Sequence, residues 1–125
     1  MRPEERPIGY WLRELDRRLE LAFAAALSSS GATRRDWQVL NGLGPDAPFW
    51  DAGARSYADV VADLTARGWT LADGTVTPAG EEARAEIASS VGRIREVSMT
   101  GVADESYVLA VRTLAAMVDN LPAAA

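Results

Sequence analysis

Along most of this chain the apolar residues recur every three or four positions, the period of helices with one buried face. From Pro7 onward Ile8, Leu12, Leu15, Leu19, Phe23 and Leu27 form one such stripe, widened by Trp11, Ala22 and Ala26. Arg13, Arg17 and Glu20 lie on its polar side, as solvated charges. Ser28 to Gly31 end this helix. Thr33-Arg34-Arg35-Asp36 then reads as a capping box with Asp in the third helical position, ahead of a short helix that buries Trp37, Leu40 and Leu43. Gly42 and Gly44-Pro45 break it. A further stripe, Tyr57, Val60, Val61 and Leu64, predicts a helix over 56–67 that Gly68 closes.

Only after Gly68 does the period change. Trp69 and Leu71 alternate with Thr70 and Ala72, as in a half-buried strand, and Asp73-Gly74 suits a two-residue type I′ turn. Thr75 to Thr77 supply the return strand. Thr77-Pro78 opens a helix expected to reach about Val97, carrying Ile87, Val91 and Ile94; Glu81 and Glu82 near its start and Arg93 and Arg95 near its end suit the helix dipole. After a loop over 98–103, a last helix begins near Asp104. It is apolar over more than half its circumference, through Tyr107, Val111, Leu114, Val118 and Leu121 with Val108, Leu109 and Met117 beside them. The first helix carries a similar surplus, and a second copy of the chain is the simplest cover for both. Residues 1–6 read as loose. In 44–56 Asp46 is placed to cap a single turn through Ala47-Pro48-Phe49-Trp50, closed by Gly53.

Composition narrows the functions open to such a chain. Its 125 residues suit one domain, a quarter of them charged, with a net charge of −5. Cysteine and histidine are both absent, which removes disulfides, thiol chemistry, the commonest general base and the commonest metal ligand. No apolar run spans a bilayer, and the N-terminus lacks the apolar core of a signal peptide, so a cytoplasmic location is expected. Every basic residue is Arg, a bias we attribute to a GC-rich genome. Glu81-Glu82 and Asp104-Glu105 are adjacent pairs at helix starts, and the chain has no nucleophile–base set, phosphate loop or metal-ligand cluster. A non-enzyme without cofactor or metal is the expectation. The acidic balance speaks against nonspecific nucleic-acid binding but leaves room for a local basic patch.

Helix, hairpin, helix is the ending of a winged helix-turn-helix, and several pieces in order resemble the MarR family of winged-helix transcriptional regulators. They are Ile8 to Leu12, Thr33 to Asn41, Val60 to Trp69, Thr77-Pro78-Ala79-Gly80 and Met117 to Leu121. The resemblance extends over about 7–121. It implies a mainly α fold with a small β-wing: a winged-helix lobe over 28–80, and dimerisation helices over 7–27 and 81–121. It further implies a homodimer that docks adjacent major grooves of double-stranded DNA, represses nearby genes and responds to a small aromatic effector.

Transferred to matching positions, the recognition helix is 56–67 and the wing tip is Asp73-Gly74. The DNA-contacting candidates are then Arg34, Arg35, Arg55, Ser56, Ala58, Asp59, Arg67, Asp73 and Gly74. Ile8, Leu12, Tyr107, Val111, Leu114, Val118 and Leu121 are candidates for the dimer interface. Tyr10, Trp11 and Trp37 are candidates for an aromatic effector pocket, while Trp37 and Trp69 also fit the core. Phe49-Trp50 reads either as an exposed pair for a ligand or partner, or as side chains collapsed onto the core.

Two departures fall on the lobe. About ten residues are missing between Gly44 and Ala47, where the first helix of the helix-turn-helix belongs, and the wing carries no Arg. Asp59 and Asp63 would also face the DNA phosphates. Two readings of the arginines therefore stay open, DNA contacts or solvated surface charges. Two functions follow: a DNA-binding regulator, or a related dimer that has lost DNA and binds a ligand or a protein.

Overall fold

In a computed structural model the chain is described over residues 2–47, 50 and 55–123. It is mainly helical: α1 (Ile8–Leu27), α2 (Arg34–Leu40), α3 (Tyr57–Ala66), α4 (Pro78–Ser98) and α5 (Asp104–Asn120), with a 3-10 turn at Pro3–Glu5. Among the described residues the only β-structure is a single antiparallel bridge, Thr70 to Val76. The chain divides into two compact units, Met1–Ile94 and Arg95–Ala125.

The first unit has one core. Phe23 and Leu27 of α1, Ala32, Val39 and Leu40 around α2, Val60 and Leu64 of α3 and Ile87 of α4 are buried together. Trp37, Trp50, Tyr57, Val61, Trp69 and Val76 pack against them. Trp37 and Trp69 thus serve the core, as their spacing predicts.

Helices α2 and α3 are built alike at both ends. Thr33 Oγ1 accepts from Asp36 N at 3.2 Å while Asp36 Oδ2 accepts from Thr33 N at 2.9 Å. Ser56 Oγ accepts from Asp59 N at 3.1 Å, and Asp59 Oδ2 accepts from Ser56 N at 3.0 Å. Each helix then ends on a glycine with paired bonds back into its last turn. In α2 these run from Gly42 N to Val39 O and from Leu43 N to Gln38 O, each 3.0 Å; in α3, from Gly68 N to Thr65 O and from Trp69 N to Leu64 O, also 3.0 Å.

The hairpin differs from its expectation in two ways. Its loop has three residues, not two: Leu71 N donates to Thr75 O at 2.8 Å, Gly74 N to Leu71 O at 2.9 Å, and only Gly74 takes a positive φ, of 89°. A type I′ turn needs positive φ at Asp73 as well, which costs a side chain far more than glycine. Thr70 and Leu71 also exchange their expected inward and outward places. Trp69 belongs to the closing motif of α3, so the bridge starts at Thr70, which is buried, while Leu71 is exposed. Thr70 satisfies its hydroxyl against Thr65 Oγ1 at 3.1 Å.

Thr77 caps α4, accepting from Gly80 N at 3.1 Å and donating to Gly68 O at 2.6 Å. Gly80 is buried where a Cβ would lie 2.0 Å from Trp69 O and 2.8 Å from Val76 Cγ1. Nothing but glycine lets α4 approach the hairpin this closely.

Residues 2–6, expected to be loose, include a 3-10 turn at Pro3–Glu5; Trp11 Nε1 donates to Pro3 O at 2.9 Å and the Arg6 guanidinium stacks on Tyr10. The turn expected through 47–53 lies largely outside the described residues. Trp50 is half-buried, donates Nε1 to Gly44 O at 2.9 Å and meets the Tyr57 ring edge-on at 5.8 Å. For Trp50 this is the collapsed arrangement; Phe49 lies outside the described residues.

In the second unit the end of α4, the turn at Gly101 and α5 follow one another, with Arg95 over the Tyr107 ring. Helix α5 has no buried residue; Leu109 is 67 % and Val118 70 % exposed. Among the described residues no helix is long and apolar enough to cross a membrane.

Candidate nucleic-acid interface

The candidate DNA-facing residues gather on and around α3, but most of their polar groups already have partners. Ser56 and Asp59 are the two halves of the α3 capping box. Its backbone N–H bond from Ser56, then the Ser56 hydroxyl, hold the Asp59 carboxyl below the usual aspartate range. Asp73 Oδ1 accepts from Thr75 N at 2.9 Å, and that bond likewise keeps its pKa low. Gly74 sits beside the Tyr57 hydroxyl, so the hairpin tip lies against the first turn of α3.

The arginines are tied still more firmly. Arg34 Nη1 bonds Asp16 Oδ1 at 2.8 Å and Glu20 Oε1 at 2.7 Å, and its guanidinium lies 5.4 Å from the Phe23 ring centre. Its side chain is only 14 % exposed. Burial works against its charge, but the two carboxylates outweigh burial and raise its pKa. Arg34 therefore fastens α2 to α1, and Glu20 is its partner rather than a purely solvated charge.

Arg55 clamps α2 to α3. Its Nη1 donates to Thr33 Oγ1 at 3.2 Å, and its Nη2 to the buried Asp36 at 3.2 Å and to Asp63 at 2.5 Å. Arg67 donates to Gly31 O at 2.6 Å and stacks over Trp69. Arg35 Nη1 bonds Gln38 Oε1 at 2.6 Å on the half-buried side of α2.

The exposed face of α3 is left with Ala58, Asp59, Ala62, Asp63 and Ala66. Beside it, Tyr57, Val61 and Thr65 complete one wall of an open cleft of about 630 Å³, with Ala72 and Asp73 of the hairpin on the other. The cleft is apolar along its floor and acidic at its edge.

Of the three effector-pocket candidates, Trp37 packs against the core. Tyr10 and Trp11 pack edge-on against each other, ring centres 5.0 Å apart, on the exposed start of α1. Helix α2 meets α1 at Asp16, Glu20 and Phe23, from one to more than three turns further along. A cavity of about 280 Å³ lies elsewhere, between the end of α1, Trp69 and α4, where Ser29, Ser30, Glu86 and Ser90 contribute polar groups.

Sequence reasoning passed over three anchors. The Ser56-x-x-Asp59 box repeats the Thr33-x-x-Asp36 spacing, so its signal was in plain view. Arg84, from α4, reaches Leu40 O at the end of α2 at 3.3 Å and also pairs with Glu81. Glu14 is held down at about 2 by Arg17, then Arg18, along the exposed side of α1.

Fold and site together define a mainly helical protein in which a doubly capped helix and a hairpin share one cleft. No family model matches the chain, and no curated protein is detectably similar to it.

Proposed function

We propose that this protein is a homodimeric DNA-binding transcriptional regulator of the MarR winged helix-turn-helix type, most simply a repressor. In this reading α3 is the recognition helix and the hairpin a minimal wing. The observation that carries it is the closure of the lobe: α3 runs through Gly68 into the hairpin, and Gly80 presses α4 onto the hairpin backbone. That is a physical reason for the Thr77-Pro78-Ala79-Gly80 piece on which the family resemblance leans. The apolar faces of α1 and of α5 supply dimer surface, from Ile8 and Leu12 on one helix and Tyr107, Val111, Leu114, Val118 and Leu121 on the other.

Phosphate contacts fall to Arg35, at the start of α2, and Arg67, at the end of α3. Arg34 is committed to α1, and Arg55 is free for phosphate only if Asp63 releases it. Such partly exposed ion pairs are worth about 0–1 kcal/mol, so that exchange is affordable. A dimer using two arginines per protomer neutralises about four phosphates, giving a slope of log K against log salt of about −4. An effector has its better site in the cavity beside Trp69, where Glu86 favours a neutral or cationic aromatic molecule over an acid.

The ion pairs of Arg34 and Arg55 favour a second reading, a dimer of the same build that binds a protein or small molecule instead of DNA. Selection from a library of genomic fragments, followed by binding to the enriched duplex across a salt series, separates the two. The regulator reading expects enrichment, a slope near −4, and loss of about two units of slope in an Arg35→Gln dimer. No enrichment by a folded dimer passes the function to the second reading.

A further inference from the structure

The chemistry of the α3 face limits which bases it can read. No Arg, Lys, Asn or Gln occurs between Tyr57 and Ala66, so α3 has no side chain for the bidentate pairings that identify guanine or adenine in the major groove. The arginines at its two ends are turned away, Arg55 to Asp36 and Asp63, Arg67 to Gly31 and Trp69. What the cleft offers is methyl groups: Ala58, Val61 and Ala62 along α3, with Ala72 opposite on the hairpin. Apolar contact of this kind is how proteins recognise the 5-methyl group of thymine. Asp59, exposed on α3 next to Ala58 and outside the cleft's lining, is a carboxylate of the kind that accepts from a cytosine amine and repels purine acceptors.

We propose that the cleft between α3 and the hairpin reads thymine methyl groups, with Ala58 and Ala62 as the specificity-determining residues, so that the half-site is chosen by its pyrimidines. The proposal rests on the DNA-binding reading and adds to it the identity of the bases read.

The test is replacement of each thymine of the enriched duplex by deoxyuridine, which removes only the methyl group. Binding is measured by fluorescence anisotropy for the unaltered protein and for an Ala62→Gly variant whose helicity and dimer state are verified first. Loss of about three- to fivefold in affinity at one or two thymines per half-site is expected, and that loss should shrink in Ala62→Gly. Deoxyuridine accepted at every position without loss overturns the proposal and leaves the regulator standing. An equal loss in both proteins overturns the assignment to Ala62. Failure to enrich any duplex removes the regulator reading and this proposal with it.

Discussion

Helices α3 and α5 are both amphipathic, yet the chain treats them in opposite ways. Helix α3 buries Val60 and Leu64 completely, has both ends capped, and has its flanking arginine tied to two carboxylates. Helix α5 has no capping side chain at its start and leaves Leu109, Val111, Val118 and Leu121 to solvent. An isolated helix of this length is marginal in water. The lobe around α3 buries its apolar residues within one copy of the chain, whereas α5 buries none of its own. The apolar start of α1 likewise leaves Ile8, Trp11, Leu12 and Leu15 exposed.

The strongest way to break the lobe is to fill the contact between α4 and the hairpin. Gly80→Val puts a Cβ onto the Trp69 carbonyl, where no flexible side chain can yield, and is expected to cost at least about 3 kcal/mol. Urea denaturation checks it, and a variant as stable as the parent contradicts a close contact between α4 and the hairpin at Gly80. Leu64→Ala, in the middle of the core, should cost about 2–5 kcal/mol by the same measurement.

The next test crosses to α5. Val118→Arg replaces a residue that a single copy leaves exposed, so in a monomer its effect stays within about 0.5 kcal/mol. If a second copy covers it, the dimer dissociation constant should rise by at least about tenfold.

Removing the clamp comes third. Arg55→Ala leaves the buried Asp36 with only its capping bonds and should cost about 1–3 kcal/mol. Adding Asp63→Asn to it should cost little more, because Asp63 is exposed.

The smallest effect is the pH dependence of the α3 cap. The folded pKa of Asp59 lies below its unfolded value, so its contribution is fully present above the ordinary aspartate range and is lost as pH falls through the folded value. Asp59→Asn should therefore be less stable than the parent at neutral pH, with the difference closing in acid.

The helices were legible because their signals are local. Apolar spacing, the Thr33-x-x-Asp36 box, Gly68 and Thr77-Pro78 each act within a few residues, and the observed bounds of all five helices lie close to the expected ones. The hairpin misled in register because Trp69 has two local claims on it, as a strand residue and as the residue that closes α3. The second won, through its bond to Leu64 O. The arginines were not legible at all. Whether Arg34 meets a phosphate or Asp16 and Glu20 depends on residues 14 and 18 positions away, which no local pattern encodes. Tyr10 and Trp11 pack against each other at the start of α1, while Trp37 packs on the core, and that division too is set by contacts distant in sequence.

The proposed dimer requires a second copy of the chain to cover α5 and the start of α1. Sedimentation equilibrium of the full chain from low to high micromolar concentration tests this directly. A mass of two chains throughout, falling toward one chain in Val118→Arg, is the predicted result. A single-chain mass for the parent protein over that whole range would contradict it.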